Sequence, residues 1–326
     1  MFSNVGLIGL GYWGEQLLEY FRGTEGVKVV ALHDLNPSRV KRIDLGEARY
    51  YSRLEEMFDN EKLDAIVIST PPTEHLVPTQ MAAQKGVHVF CEKPMAASNS
   101  DCDKMIEICD RNQVWLMVAF KHRFAKAFSY VKNNLEDFGK PIWGMYTYPL
   151  WEVDDPGWKF KEDGTKGIVV ENMVHAIDAM RFLFGDVERL YAEGDNYVFK
   201  DVAPPDSAII TLRFVNGAIG AIGGGCTSDQ RISREYLDLH FENGVAQIFG
   251  MLDMPIHLRT LRRKDAYPEE HTFKGSDGVR EEIKHFIESI QTNREPLSTG
   301  SDGKKALEIA LASIESLRSH KPIYIV

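Results

Sequence analysis

The sequence NVGLIGLGYWGEQLLEYFRGTEGVKVVALHD, residues 4–34, contains the pattern that decides the fold of the first part of the chain. An apolar run at 5–8 predicts a strand, and the apolar residues that next recur at helical spacing predict a helix. A second apolar run, 27–32, predicts another strand that ends just before Asp34. The order of strand, glycine-rich turn, helix and strand is typical of a nucleotide-binding βαβ unit.

The turn has the pattern Gly-x-Gly-x-x-Gly, and its three glycines are Gly9, Gly11 and Gly14. The first allows a sharp turn, the second lets the backbone approach a pyrophosphate, and the third lets the helix pack closely on the strand. The N–H groups at the start of the helix attract the phosphates. Asp34 lies 20 residues after Gly14, where a carboxylate can accept hydrogen bonds from the adenosine ribose. Because all these parts occur together, the stretch predicts dinucleotide binding rather than a simple glycine-rich turn.

The residue types around Asp34 bear on the choice between NAD and NADP. The carboxylate favours NAD, because it would repel the 2′-phosphate of NADP. Leu35 follows it, where an NADP site more often has a basic or hydroxyl side chain. Ser38 and Arg39 are close enough in sequence to keep NADP open. NAD is therefore the expected cofactor, and equal affinities for the two would refute this hypothesis.

Composition restricts the class of protein and its partners. The 326 residues suffice for two domains, and the formal net charge is −10. This acidic balance, without any basic run, argues against a nucleic-acid or anionic-membrane partner. The chain has no run of 18 apolar residues and no basic leader, which argues against membrane insertion and secretion.

The four cysteines indicate neither a metal site nor a disulfide framework. They are Cys91, Cys102, Cys109 and Cys226, and no two form a C-x-x-C pair or part of a zinc ligand set. Cys102 and Cys109 lie a heptad apart on a predicted helix, so we expect buried thiols. No metal site is expected, and the reducing cytoplasm is the expected compartment.

Residues 1–120 alternate between predicted strands and helices, which predicts an α/β domain with a doubly wound parallel sheet, a Rossmann fold. Ligands of such sheets bind beyond the carboxyl ends of the strands. The side chains at those ends and in the glycine-rich turn are the candidate cofactor-binding residues. They are Gly9, Gly11, Tyr12, Trp13, Gly14, Asp34, Thr70, Pro71, His75, Glu92 and Lys93.

Residues 121–326 follow a different pattern, which predicts an α+β domain with an open, mostly antiparallel sheet. The pairs Asn216-Gly217 and Asn243-Gly244 each separate two apolar runs, as in β-hairpins. A helix is expected over 124–135. An open sheet needs cover on both faces, and a second subunit is a common cover. We therefore expect a homodimer or homotetramer that associates through this sheet. The sequence does not show which of its apolar residues point outward; the candidates are Ile210, Leu212, Ile219, Ile222, Leu237 and Leu239.

Lys93 is the first candidate for chemistry. It follows a predicted parallel strand, between Glu92 and Pro94, close to the expected nicotinamide position. A lysine there can donate to a substrate hydroxyl or carbonyl and stabilise a developing alkoxide. The alternative is an ordinary surface lysine beyond a strand end.

The second candidate is the cluster Glu171, His175 and Asp178, which would share one face if the segment is helical. Histidine titrates near neutral pH, so His175 could take the hydroxyl proton as hydride leaves carbon. A carboxylate neighbour would orient the ring. The alternative is a helix N-terminus whose acids complement its dipole, with a core histidine. Spacing alone does not separate the two.

Three further side chains are candidates for contact with substrate. Arg123 begins the second domain and could face the cleft together with its neighbour His122, Asn172 adjoins Glu171, and Trp158 lies in a loop that could stack on a sugar ring. His75 could line the cofactor cleft or cap the helix that follows it. Each such residue type is more often structural than functional.

With these motifs together, the chain resembles the glucose–fructose oxidoreductase / inositol dehydrogenase / rhizopine-catabolism (Gfo/Idh/MocA) family over nearly its whole length. The motifs that carry the resemblance are GLGYWG at 9–14, TPPTEH at 70–75, HVFCEKP at 88–94, E-x-x-x-H-x-x-D at 171–178, and the closing segment 298–316. The resemblance implies that Lys93 contacts substrate and that His175 is the acid/base.

One motif departs from the family pattern. The family commonly has Asp within a D-x-G-x-H run, whereas this chain has Glu171 at that position and Met173 in place of the glycine. The carboxylate is kept one methylene further out, so the substrate pocket need not match that of inositol or glucose enzymes.

The sequence therefore predicts an NAD(P)-dependent dehydrogenase that acts on a secondary alcohol, or the matching ketone, of a sugar, inositol or related polyol. The alcohol would bind between the nicotinamide and the second domain, with Lys93, His175 and Glu171 as catalytic residues. Two alternatives remain. One is an NAD-using lyase or glycosidase-type sugar enzyme of the same architecture, and the other is a non-catalytic NAD(P)-binding sensor.

Overall fold

The structure, a computed structural model, describes residues 3–149, 167–202, 204–226, 234–250, 255–274 and 277–325. These residues form two compact units, one from residues up to 119 with 279–304, and the other from 120–278 with 305 onward. Their α-helices are α1 (Tyr12–Arg22), α2 (Pro37–Val40), α3 (Leu54–Asn60), α4 (Leu76–Gln84), α5 (Asn99–Arg111), α6 (Lys126–Asn133), α7 (Leu135–Phe138), α8 (Ile168–Glu171), α9 (Val174–Phe184), α10 (Asp277–Thr292) and α11 (Gly300–Ser319). Two 3₁₀ turns span Pro72–Glu74 and Lys121–Phe124.

The first unit contains a six-stranded parallel sheet, as predicted. Its strands are β1 (Ser3–Ile8), β2 (Val27–His33), β3 (Arg49–Tyr51), β4 (Ala65–Ile68), β5 (His88–Cys91) and β6 (Leu116–Val118). They lie in the order β3-β2-β1-β4-β5-β6, which is the doubly wound Rossmann order. The central strand β4 is buried along its whole length, because helices cover both faces of such a sheet.

Residues 279–304 belong to the first unit. The domain boundary predicted from the sequence, between residues 120 and 121, assigns them to the second. Apolar packing is the reason that they belong to the first. The Phe286 ring meets the edge of Phe90, on β5, with 5.5 Å between ring centroids. The Ser298 hydroxyl donates to the Val118 carbonyl at the end of β6. A helix far along the chain thus completes the core of the parallel sheet.

The second unit contains a nine-stranded sheet. Its strands are β7 (Pro141–Thr147), β8 (Val187–Asp195), β9 (Ser207–Phe214), β10 (Ile219–Gly225), β11 (Glu235–Phe241), β12 (Gly244–Gly250), β13 (Ile256–Arg262), β14 (Glu269–Phe273) and β15 (Ile323–Tyr324). Their order is β14-β13-β12-β11-β7-β10-β9-β8-β15, and every neighbouring pair is antiparallel except β7 and β10. Both predicted hairpins are present, since β9 pairs with β10 and β11 with β12.

The helix expected over 124–135 is shorter than predicted. Lys121–Phe124 forms a 3₁₀ turn, and the extended backbone of Ala125 separates it from α6. The helix stops at Asn134, whose side-chain amide donates to the Tyr130 carbonyl. A 3₁₀ turn therefore replaces the start of the expected helix, and its last residue, Leu135, begins α7.

The cysteines are free and buried, as expected for Cys102 and Cys109. Burial, with a smaller contribution from neighbouring aspartates, raises the pKa of each of these two thiols to about 12. Both are therefore protonated at neutral pH. In the part of the chain that the structure describes, no helix combines the length and hydropathy required to cross a membrane.

Candidate active site

The glycine-rich turn between β1 and α1 has the geometry that the motif predicts. Gly9 has φ +94°, and a Cβ there would lie 2.7 Å from the Ser69 carbonyl. A Cβ on Gly14 would lie 2.0 Å from the Gly9 oxygen, whereas one on Gly11 would have nothing within 4 Å. Two of the glycines are thus required by packing, and the third faces open space where a pyrophosphate can approach.

Asp34, just after β2, is buried and held by short hydrogen bonds. Its carboxylate accepts from the backbone N–H of Leu10 and of Asn36, both at 2.7 Å, and pairs with Arg39 at 3.1 Å. Burial would raise the pKa of this carboxyl, but the two N–H donors and the guanidinium outweigh it and lower the pKa. The carboxylate is therefore ionised, with Arg39 beside it.

The loop after β4 contains three predicted cofactor residues, which lie in different environments. Pro71 is exposed, and the Thr70 hydroxyl oxygen is buried without a hydrogen-bond partner among the described residues. His75 is fully buried, with its ring nitrogens 2.8 Å from the Thr70 carbonyl and 3.1 Å from the Met95 carbonyl. His75 therefore ties together the loops that follow β4 and β5, which favours the structural alternative for this residue.

The Glu-Lys-Pro segment after β5 is connected to the glycine-rich turn. The Trp13 indole donates to Glu92 at 2.6 Å, and the backbone N–H of Lys93 lies 3.2 Å from the same carboxylate. Lys93 is half-buried, and Tyr12 is 83% exposed. Glu92 therefore positions the lysine backbone and the start of α1, rather than being free to bind a ligand.

These residues fit a dinucleotide. An open approach beside Gly11, a helix whose N-cap is a glycine without a side chain, and an unpartnered Thr70 hydroxyl are features that a bound pyrophosphate cofactor would use. An ionised Asp34 matches the ribose hydroxyls. The described residues contain no cluster of three His, Cys, Asp or Glu side chains that could hold a metal.

In the second unit, the Glu171 to Asp178 cluster does not form one continuous helix. Helix α8 ends at Glu171, and α9 begins at Val174 after a turn in which the Met173 N–H bonds to the Ile168 carbonyl. The expected i, i+4, i+7 face is therefore broken between Glu171 and His175. Both side chains are nevertheless buried, and Asn172, within the turn, is half-buried.

Arg123 does not project as a free cation. Its guanidinium forms two hydrogen bonds with the Asp178 carboxylate, at 2.8 and 2.6 Å, and both side chains are buried. Arg181 lies 3.8 Å from the same carboxylate and 2.8 Å from Asp186. The ion pair gives Asp178, the last acid of the cluster, a structural partner. It also favours a structural role for Arg123 over contact with substrate.

Sequence reasoning named His122 only as a residue that could face the cleft, and it missed three residues that adjoin His122: Tyr146, Tyr148 and Glu235. His122 Nε2 lies 3.0 Å from the Glu235 carboxylate, and the Tyr146 hydroxyl donates to the same oxygen at 2.7 Å. Burial, followed by the charges of Glu235 and Glu171, raises the pKa of Tyr148. No local motif marks these residues, because they are brought together from separate elements. Trp158, predicted to contact substrate, lies outside the described residues.

Comparison with known proteins identifies both parts of the chain. Residues 3–120 match the oxidoreductase family with an NAD-binding Rossmann fold, and residues 135–247 match the GFO/IDH/MocA C-terminal domain. The chain belongs to the Gfo/Idh/MocA oxidoreductase family.

Individual members of this family align with nearly the whole chain. The chain is 26% identical to myo-inositol 2-dehydrogenase of Thermotoga maritima, covering 98% of each protein. It is 28% identical to D-apiose dehydrogenase of Paraburkholderia graminis, covering 97% of this chain and 88% of that protein. The chain also superposes on the crystal structure of an oxidoreductase from Agrobacterium radiobacter in complex with NAD⁺, L-tartaric acid and magnesium. The TM-score is 0.87 at 22% identity, and the match covers 99% of this chain and 98% of that one. This last likeness shows the fold.

Membership of the Gfo/Idh/MocA family confirms the predicted fold class, the NAD-binding Rossmann unit and the oxidoreductase class. The roles of individual residues are not settled by membership. They remain predictions that the geometry above either supports, as for Gly11 and Asp34, or weighs against, as for Arg123.

Proposed function

We propose that this Gfo/Idh/MocA protein is an NAD-dependent dehydrogenase that oxidises a secondary alcohol of a sugar, inositol or related polyol, or reduces the matching ketone. The observation that carries the proposal is the alignment of nearly the whole chain with sugar and inositol dehydrogenases. The buried His175 and the strand-end Lys93 supply the side chains that such a reaction needs.

When bound, NAD supplies the acceptor for the hydride. We propose that His175 takes the proton of the substrate hydroxyl, because a histidine can exchange protons near neutral pH. Lys93 donates a hydrogen bond to the same oxygen and stabilises its developing negative charge. Glu171, buried before the turn that leads to α9, orients the substrate or the base.

The first experiment measures the absorbance of reduced nicotinamide while the protein is incubated with NAD, and separately with NADP, across a panel of inositols, aldoses and sugar acids. We expect turnover with NAD and at least one polyol. NAD binding without turnover on any panel member would contradict the proposal and favour the lyase or sensor alternatives.

Substitution then tests the two roles. His175→Ala and Lys93→Ala should each lower kcat by about 10²–10⁴-fold while NAD affinity changes little. Lys85→Ala is the matched control, because Lys85 is an exposed lysine of the same unit whose surface ion pair joins Asp59. Wild-type kcat in either active-site variant would remove that residue from the mechanism.

We also propose that the chain forms a homo-oligomer through the open face of the nine-stranded sheet. Of the six apolar candidates only Ile219 points outward, 46% exposed, while the other five are buried. The register of the sheet places it on the same face as Met145, Ile209, Tyr236, Phe249 and Leu261, all exposed. A face with this much exposed apolar surface needs a partner.

Light scattering tests this association. We expect the wild type to have a mass of two or more chains at micromolar concentration and Met145→Glu to shift it towards one chain. Val215→Glu, an equally drastic change in an exposed turn, is the control. A wild-type mass of one chain would overturn the proposal.

The buried free thiols support a further proposal, a cytoplasmic location, which cell fractionation tests.

A further inference from the structure

Aromatic rings surround the His175 imidazole within the second unit. The His122 ring stands perpendicular to it, with 5.4 Å between centroids. Phe120 presents an edge contact at 6.3 Å, and Tyr148 lies tilted at 6.4 Å. Since His175 is only 7% exposed, these rings set the orientation that its imidazole adopts.

The nearest of these rings is itself held in place. His122 Nε2 lies 3.0 Å from the Glu235 carboxylate, to which the Tyr146 hydroxyl also donates. The His122 ring also packs against Phe128, with 5.0 Å between centroids, and a cavity of about 20 Å³ borders this group. The hydrogen bond to Glu235 and these ring contacts together hold His122 in place.

Glu235 is half-buried and carries a negative charge. Burial would raise the pKa of its carboxyl, but the charge and hydrogen bond of His122, the charge of Lys121 and the Tyr146 hydroxyl together lower it. A half-buried charged pair such as Glu235 and His122 is weak evidence for a role in stability, because desolvation offsets much of the attraction. The location of Glu235 behind the ring that faces His175 points to a role in that site.

We propose that His122, anchored on Glu235, is a positioning residue for His175. The proposal rests on the proposed function, in which His175 exchanges a proton with substrate. A neutral imidazole has one nitrogen that donates and one that accepts, and only the accepting nitrogen can take a proton. The direction in which that nitrogen points depends on the tilt of the His175 ring. The perpendicular His122 ring restricts this tilt.

The test is His122→Gln. Glutamine keeps a donor for Glu235, so the fold and its thermal midpoint should stay close to wild type, but it lacks the ring that faces His175. We expect kcat to fall about tenfold, with KM for the polyol changing less than about twofold, because positioning acts on the chemical step. A merely structural His122 would be rescued by glutamine.

A second readout does not depend on turnover. Long-range ¹H–¹⁵N NMR spectra resolve the ring signals of individual histidines. The His175 ring should give one sharp set of signals in the wild type and broadened or multiple signals in His122→Gln, where its tilt is less restricted. Tyr130→Phe, which removes a comparable hydroxyl–carboxylate contact with Glu269 elsewhere in the unit, is the control and should leave the signals unchanged.

Wild-type kcat in folded His122→Gln, or unchanged His175 ring signals, would overturn the positioning role. Failure of the proposed function would be seen separately, as full turnover in His175→Ala. Glu235→Gln gives the intermediate case, since its amide oxygen still accepts from His122 while the charge is lost. We expect its kcat to fall less than that of His122→Gln.

Discussion

Two carboxylates, the buried Asp34 in the first unit and the half-buried Glu235 in the second, both have lowered pKa values but are held by different kinds of contact. Asp34 accepts from backbone N–H groups 24 and 2 residues away, in the loops of one βαβ unit. Glu235 is held by His122 and Tyr146, which lie 113 and 89 residues away. The first arrangement belongs to a local motif, whereas the second exists only once the whole sheet has formed.

Among contacts between distant residues, we expect the largest effect of substitution at the pair of Asp178 and Arg123, which lie 55 residues apart. Asp178→Asn removes the charge that faces a buried guanidinium, and the free energy of unfolding should fall by about 3–5 kcal/mol. Denaturant unfolding measures it. The double variant Arg123→Met with Asp178→Leu should recover most of the loss, because the Arg123 guanidinium is then gone and Arg181 keeps its ion pair with Asp186. A loss in Asp178→Asn of only about 1 kcal/mol, typical of an exposed pair, would contradict this explanation.

In the first unit, two glycines of one motif should respond differently. Gly14→Ala should destabilise the unit by about 1–3 kcal/mol or more, because its Cβ would lie 2.0 Å from the Gly9 oxygen. Gly11→Ala should leave the unfolding transition unchanged and weaken NAD binding, because its Cβ meets open space in the protein alone. Calorimetry with and without NAD measures both. If Gly11→Ala were as unstable as Gly14→Ala, the motif would serve folding and not ligand binding.

The same distinction explains what the sequence could predict. The parallel sheet and the glycine-rich turn follow from local sequence patterns, and the structure has both in the expected form. The ribose-binding role of Asp34 rests on the same local spacing and stays a prediction. The two Asn-Gly hairpins are likewise local.

Contacts between distant segments could not be predicted. The packing of 279–304 with the first unit, the partner of Arg123 and the His122–Glu235 pair depend on segments that no spacing rule connects. The break between α8 and α9 was missed for another reason: Asn172 and Met173 are both compatible with a helix, so the local sequence does not mark the turn between them.

A smaller effect is expected from the charge on Asp34. Its pKa is lower in the folded protein than the value of about 3.9 in an unfolded chain, so the unfolded state binds the proton first as the pH falls. The stabilisation is thus complete above about pH 5 and is lost as the pH falls through the folded pKa. Asp34→Asn should lose about 1–2 kcal/mol at neutral pH and show a weaker decline in acid, measured by urea unfolding without cofactor. Asp59→Asn, an exposed aspartate, is the control. An identical decline in wild type and Asp34→Asn would exclude this role.

The smallest effect concerns Arg39, whose charge partly neutralises that of the Asp34 carboxylate. Arg39 is 44% exposed and lies 3.1 Å from Asp34, so in the free protein this pair contributes at most about 1 kcal/mol to stability. Its influence should instead be seen in the choice of cofactor. Without the guanidinium, the Asp34 charge is less compensated and should repel a 2′-phosphate more strongly. Arg39→Ala should therefore raise the preference for NAD over NADP by about tenfold at low salt, mainly through weaker NADP binding, and the difference should shrink as salt is added.

Titration of each cofactor by calorimetry measures this preference. Arg42→Ala removes the same charge three residues away without contacting Asp34, so it should leave the preference unchanged. Equal shifts in the two variants would mean that the net charge of the unit, rather than the contact with Asp34, sets the preference. A shift confined to Arg39→Ala would show that cofactor choice depends on a local contact of Asp34, the residue that ends the segment which decides the fold. In the second unit, by contrast, the orientation of His175 depends on residues from distant parts of the chain.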